Sequence, residues 1–253
     1  MADPTVVFIT GASRGIGKAL AETYLLRPNH TVIASVRNLS SPSAQALESL
    51  SAATGSRLLL AKIENTNPTD PAEAIKQLQD AGIDHIDVAI ANAGGTSGRI
   101  LKPVETVPPK DILDLFEINA MGPLYFYQAV LPLLLKSTKT PKFVSVSSAA
   151  GSMGNMEMWG ANRATAYGLA KTGLNWITLA AHCGTKELVA FALHPGLVQT
   201  ELGSKSAREM GLEDAPTTVK ESIDAILALV DAATREKTSG KFYDAISGEE
   251  LPW

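Results

Sequence analysis

One cysteine, Cys183, stands among 253 residues, so no disulfide can form within the chain and a reducing compartment is implied. A lone thiol of this kind reads as a small packed side chain. Aromatic residues make up only 6% of the chain, and no basic–aromatic stripe interleaves them as a nucleic-acid surface would require. Positive charge is not in excess either. The net charge is −4 with acids and bases interspersed, which gives neither a nucleic-acid footprint nor a membrane-surface patch. Long hydrophobic runs are missing. The longest, around Ala129 to Leu135, contains Pro132 and is far too short to span a bilayer. Met1-Ala2-Asp3-Pro4 has no basic leader region, and the apolar run after it covers only Val6 to Ile9. The histidines, His30, His85, His182 and His194, are dispersed without ligand spacing, so no metal is expected. A cytoplasmic protein without nucleic-acid or membrane partners is the expectation.

What is present is a core. Apolar residues form 45% of the chain, and short β-branched runs alternate with longer helical patterns. Val6–Ile9, Thr31–Ala34, Arg57–Ile63, Val88–Ile90, Phe143–Val146, Val189–Leu193 and Lys241–Tyr243 read as strands. Between them, 18–26, 44–53, 71–80, 111–135, 164–181 and 219–233 read as helices, the fourth tolerating Pro123 with a kink or break. Continuous apolar strands separated by helices predict α/β architecture: a single doubly wound, Rossmann-type parallel sheet with helices on both faces. With no repeat or linker in view, 1–253 is expected to be one domain. Residues 201–217, with Gly203, Gly211 and Pro216, are the least regular stretch and are expected to form a substrate flap.

Between the first strand and first helix lies Thr10-Gly11-Ala12-Ser13-Arg14-Gly15-Ile16-Gly17. Glycines there allow a tight turn and close approach of backbone to a pyrophosphate, which the following helix N-terminus favours. A dinucleotide cofactor is expected, held by Gly11, Ser13, Arg14, Gly15, Ile16 and Gly17. The second strand continues Ser35-Val36-Arg37-Asn38 and carries no acid for a ribose 2′-hydroxyl. Arg37 stands in its place, and Arg14 can reach the same region. Two guanidiniums suit a 2′-phosphate, so NADPH is expected over NADH; the plain alternative for Arg37 is a solvated charge.

Tyr167 and Lys171 are four residues apart, so they leave one face of a helix. An ammonium beside a phenol favours phenolate and so should lower the tyrosine pKa toward a useful range. With the glycine loop, the pair points to a hydride-transfer enzyme.

Thr10 to Gly17, Asn92-Ala93-Gly94, Asn119, Ser148, Tyr167 with Lys171, and Pro195-Gly196 recur in the order of the short-chain dehydrogenase/reductase family. The spacing Gly-x-x-x-Gly-x-Gly is similar to the single-domain branch. Ala34 to Asn38, His194 to Thr200, Ala215 to Val219, and Thr238-Ser239-Gly240 with Leu251-Pro252-Trp253 resemble fungal ketoreductases of the norsolorinic acid type and cytosolic carbonyl reductases. In many family members a serine lies thirteen residues before the tyrosine. Here that position is Gly154, and Ser148 lies nineteen before, which reads as a six-residue insertion within 152–165. Ser147 and Ser152 are alternatives to Ser148.

The resemblance implies NADPH-dependent reduction of a small-molecule ketone, aromatic or polyketide-like, to a secondary alcohol. Tyr167 would be the proton donor, Ser148 the carbonyl holder, Lys171 the phenol's cation and ribose ligand, and Asn119 the anchor of a water relay. It also places Glu64 and Asn65 by adenine, Asn92, Ala93 and Gly94 by the adenosine ribose, and Pro195, Gly196, Val198 and Thr200 by the nicotinamide. A homodimer or homotetramer through the fourth helix and the Tyr167 helix is implied. Met153, Met156, Met158 and Trp159 would form an adaptable wall for a flat substrate, or merely a loop tucked onto the core. Oxidation of an alcohol uses the same residues in reverse. A non-catalytic dinucleotide sensor would keep the glycine loop alone.

Overall fold

The apolar runs pair side by side because each hides both faces. In the computed structural model, which describes residues 3–96 and 98–253, they form one sheet. Met1 and Ala2, at the head of the segment read above as lacking a leader, lie outside the described residues. The strands are β1 (Thr5–Ile9), β2 (His30–Val36), β3 (Arg57–Lys62), β4 (Val88–Ala91), β5 (Lys142–Val146), β6 (Val189–His194), β7 (Phe242–Asp244) and β8 (Glu250–Leu251). Their order is β3-β2-β1-β4-β5-β6-β7-β8. Every neighbouring pair is parallel except β7 with β8. The winding direction reverses between β1 and β4, where Val7 pairs with Val32 on one side and Val88 on the other. Such a switch point opens a crevice beyond the carboxyl ends of the strands.

Alternation along the strands splits the core in two. Val7, Ile9, Val32 and Phe191 pack with α1 (Gly15–Leu25), α2 (Pro42–Glu48) and α8 (Val219–Ala232). Val6, Phe8, Ile33 and Phe143 pack on the other face with α3 (Asp70–Asp80) and α5 (Gly122–Leu134). Phe8 meets Phe126 of α5 edge to face, with centroids 5.0 Å apart. Removing a ring buried like this costs about 3–5 kcal/mol.

The helical stretch 111–135 is a compound element: α4 (Pro109–Phe116), one π turn (Glu117–Met121) and α5, with Pro123 in the first turn of α5. The expected interruption therefore falls at the residues just before Gly122-Pro123. Helix α6 (Thr165–Gly184) carries Tyr167 and Lys171. The expected 44–53 helix instead runs 42–48, because Ser41 caps it through Ala44 N–H and Pro42 sits in its first turn. Residues 201–217 are more regular than expected. Thr200 accepts from Gly203 N–H and starts α7 (Glu201–Glu209). Strand β8 was not legible, since two residues carry no alternation. Cys183 lies exposed rather than packed, in the last turn of α6. Among the described residues, no helix is long and apolar enough to cross a membrane.

Candidate active site

The glycine loop follows β1 and is tied down from two sides. Gly11 N–H donates to Ser35 Oγ at 3.2 Å, and Ala12 N–H to the Ser35 carbonyl at 2.9 Å. Asn92 Nδ2 donates to the carbonyls of Thr10 and Gly11 at 2.8 and 3.3 Å. Thr10 Oγ1 accepts from the N–H groups of Asn92 and Ala93. Gly11 and Gly15 have φ of 68° and 57°, the left-handed region where glycine is favoured. A Cβ on Gly17 would stand 2.4 Å from both Asn92 Nδ2 and the Gly11 carbonyl. Helix α1 begins here with no side-chain cap and no acid in its first turn. Its first N–H groups are therefore available to an anion, and the cradle fits a dinucleotide pyrophosphate.

The other residues expected near the cofactor are brought to the same edge. Arg37 is exposed at the end of β2. Arg14 is exposed and ion-paired with Glu201 at the start of α7. Thr200 Cγ2 would lie 3.4 Å from a Cβ on Gly15, so the segment after β6 passes next to the glycine loop. Gly196 has φ 87°, and a Cβ there would meet Thr217 Oγ1 at 2.8 Å. The Pro195 carbonyl accepts from Ser222, and Val198 bridges to Thr217. Asn65 has a framework task not foreseen: its amide donates to the Ala93 and Ile118 carbonyls at 3.1 and 3.0 Å, joining β3's end to the β4 loop and the π turn. Glu64 offers its N–H to Asp70, leaving its half-buried side chain beside Asn65.

A second cluster forms where α6 crosses the ends of β4 and β5. Lys171 is buried, and its Nζ donates to the Val146 carbonyl at 2.9 Å. It lies 5.7 Å from the Tyr167 ring centroid. Asn119, buried in the π turn, donates to the Gly95 and Leu115 carbonyls and accepts from Gly95 N–H. A Cβ on Gly94 would stand 2.7 Å from Asn119 Oδ1 and 3.6 Å from Lys171 Nζ. Only glycine lets the β4 loop pass this closely. π turns often mark functional positions because they re-aim one residue of a helix.

The three candidate serines separate by partner. Ser147 donates to Asn175 Oδ1 at 2.6 Å, and Ser152 to the Pro252 carbonyl at 2.5 Å. Ser148 is half-buried, caps the short turn 149–151 by accepting from Ala150 N–H at 3.2 Å, and stands near enough to the Tyr167 phenol to favour its ionised form. Asn175, absent from the sequence reading, also holds the Gly151 carbonyl. Nothing in its spacing marks it apart from other polar residues of α6.

The electrostatics differ from expectation. Burial pushes the Tyr167 phenol up to about 12, against a lowering by Ser148. Burial also pulls the Lys171 ammonium down to about 8. The reason is shared: neither ionised form is well solvated, and the lysine's donor is aimed at a carbonyl rather than at the phenol. The four-residue spacing gave the correct proximity but the opposite direction for the phenol. His194, at the end of β6, is likewise held near 4 by burial, with Asp244 opposing and Lys171 reinforcing. Its Nδ1 is buried without a partner among the described residues.

Residues 5–211 match the short chain dehydrogenase family. A short-chain dehydrogenase of Neurospora crassa is 49% identical over 99% of this chain and 98% of its own. Norsolorinic acid ketoreductase of Dothistroma septosporum is 41% identical over 98% of this chain and 92% of its own. Among solved structures, NADPH-bound carbonyl reductase from chicken fatty liver superposes with a TM-score of 0.85 at 26% identity, covering 100% of this chain and 96% of that one. The chain belongs to the short-chain dehydrogenase family and is an oxidoreductase built for a nicotinamide dinucleotide.

Proposed function

We propose that this protein uses NADPH to reduce a ketone, aromatic or polyketide-like, to a secondary alcohol, with Tyr167 as proton donor. The observation that carries the reading is the convergence of Ser148, Tyr167, Lys171 and Asn119 beside the glycine loop. When bound, the dinucleotide supplies the hydride taken up by the carbonyl carbon. Ser148 and Tyr167 hold the carbonyl oxygen, and Tyr167 gives it a proton. Lys171, anchored on Val146, keeps a positive charge near the phenol and holds the nicotinamide ribose. Asn119 anchors the water through which Lys171 reaches solvent.

On the cofactor side, the cradle of Gly11, Ser13, Arg14, Gly15, Ile16 and Gly17 takes the pyrophosphate. Arg37 and Arg14 take the 2′-phosphate. The exposed Arg14–Glu201 pair is of the kind worth only about 0–1 kcal/mol, so it yields readily. The lack of an acid after β2 and the NADPH-bound carbonyl reductase relative both favour NADPH. The substrate class rests on the ketoreductase relative and on Met153, Met156, Met158 and Trp159, all exposed in the loop before Tyr167. Helix α7, tied to the segment before α4 through Glu209 with Ile100 and Lys205 with Gly98, is the flap over the mouth. Leu113 of α4 with Leu169 and Trp176 of α6 present exposed apolar surface, which supports a homodimer or homotetramer through those helices.

The test is a screen of aryl ketones with NADPH and NADH, following nicotinamide absorbance, beside a Tyr167→Phe protein. That variant keeps NADPH affinity and loses turnover by about a hundredfold to ten-thousandfold. Undiminished reduction by it overturns the proton-donor role.

A further inference from the structure

The last residues of the sequence reach back to the insertion that precedes Tyr167. Trp253 stacks on Phe242 of β7, centroids 5.9 Å apart and planes 21° apart, and Phe242 is fully buried. From that fixed point the chain clasps residues 152–154. The Pro252 carbonyl accepts from Ser152 Oγ at 2.5 Å, and the Trp253 carbonyl from Gly154 N–H at 3.1 Å. Ser152 is fully buried, and its Oγ also accepts from Asn155 N–H. A Cβ on Gly154 would lie 2.7 Å from Pro252 Cβ, so any larger residue there pushes the two segments apart.

The clasp continues inward. Gly151, directly before Ser152, lies against Lys171: a Cβ there would stand 2.9 Å from the Lys171 carbonyl carbon and 3.0 Å from its Cβ. Its own carbonyl accepts from Thr172 and Asn175, and Asn175 in turn holds Ser147 beside Ser148. Outward from the clasp, Met153, Met156, Met158 and Trp159 are exposed. Between these exposed side chains the loop is held by local turns, Met156 to Met153, Trp159 to Asn155 and Ala161 to Met156, which bury little apolar surface and so hold it weakly. Outside its own turns, the Phe242–Trp253–Pro252 clasp holds the start of this loop, while the bridge of Ala164 to Lys102 holds its end.

We propose that Pro252 and Trp253, acting through Ser152 and Gly154, brace the loop before Tyr167 and thereby set which ketones the site admits. These are positioning residues, and the proposal rests on the ketone-reductase reading above. Distance from the chemistry is compatible with large effects, because a displacement of about 1 Å in substrate position can cost on the order of a hundredfold in rate.

The test compares wild type, Trp253→Ala, Trp253→Phe and Ser152→Ala, using NADPH with one small ketone and one fused-ring aryl ketone. Trp253→Ala is expected to raise KM for the fused-ring ketone about tenfold, to leave KM for the small one within about twofold, and to spare NADPH affinity. Trp253→Phe, which keeps a stacking ring, restores most of the selectivity. Ser152→Ala shifts it in the same direction by less. Hydrogen exchange gives a readout that needs no turnover: amides of 152–160 exchange about ten times faster in Trp253→Ala, while those of 10–20 do not change. Unchanged exchange at 152–160 overturns the brace. Faster exchange with both ketones affected equally overturns its role in selection. Wild type that turns over neither ketone, with exchange behaving as expected, sinks the reductase reading while the brace stands.

Discussion

Between Thr10 and Gly17 the backbone is bonded to strand ends on either side, through Ser35 and Asn92. Between Met153 and Gly160 the chain bonds mainly to its own turns and to the last residues of the sequence. The first segment tolerates no added atom at Gly17; the second leaves Met158 69% exposed. On the proposed reading, the same crevice has a wall shaped before any ligand arrives and a wall that can adapt. A pyrophosphate is invariant and rewards preorganisation, whereas ketones differ in outline and reward compliance.

Four measurements press on that contrast. Gly17→Val should be the most damaging, since a Cβ would strike backbone at 2.4 Å. Calorimetric titration should show dinucleotide affinity down by about a hundredfold or more, since helix and loop can no longer close on the phosphates. Wild-type affinity in this variant would mean that the loop is as yielding as the opposite wall. Next, Arg37→Asp should lower the NADPH-over-NADH ratio of kcat/KM by about ten- to a hundredfold, as a charge-assisted contact turns repulsive. A ratio that stays put would leave discrimination to Arg14.

Third comes pH. Lys171 falls from its ordinary 10.5 to about 8 on folding, so the unfolded chain binds the extra proton between those values and stability rises as pH rises through that window. Tyr167, raised from 10.0 to about 12, opposes this above pH 10. Urea titrations of the ligand-free protein from pH 8 to pH 10 should therefore show a gain of order 2 kcal/mol, most of which disappears in Lys171→Met, the remainder coming from Lys142, also lowered by burial. A slope that survives the substitution undiminished assigns it to another group. Smallest is Met158→Ala with Trp159→Ala. Both side chains are exposed, so Tm should hold while kcat/KM on aryl ketones drops about three- to tenfold. A large Tm loss instead would place these side chains in the core.

Much of this was legible from the chain itself. The seven parallel strands, their order of appearance and the placement of Gly11, Asn92, Tyr167 and Lys171 along one edge follow from apolar runs and local spacing. These are features that neighbouring residues impose on each other. Where distant segments decide, the reading falls short. Ser148 is distinguishable from Ser147 and Ser152 only through Asn175 and Pro252, which lie 28 and 100 residues from the serines they engage. Helix α7 is started by a single cap at Thr200, and β8 by pairing with β7 rather than by pattern. The direction of the Tyr167 shift depends on desolvation, which spacing does not encode. Arg14's bond to Glu201 joins positions 187 residues apart.

The π turn at 117–121 has an evolutionary corollary. It carries one residue more than regular winding needs, so deleting one would relax it to a plain helix whose flanks stay nearly in phase, while the positions inside the turn are re-aimed. Phe126 would keep Phe8, but Asn119 would lose its bonds to Gly95. Length changes at this point are thus barred, and a smoother helix here would make a worse protein.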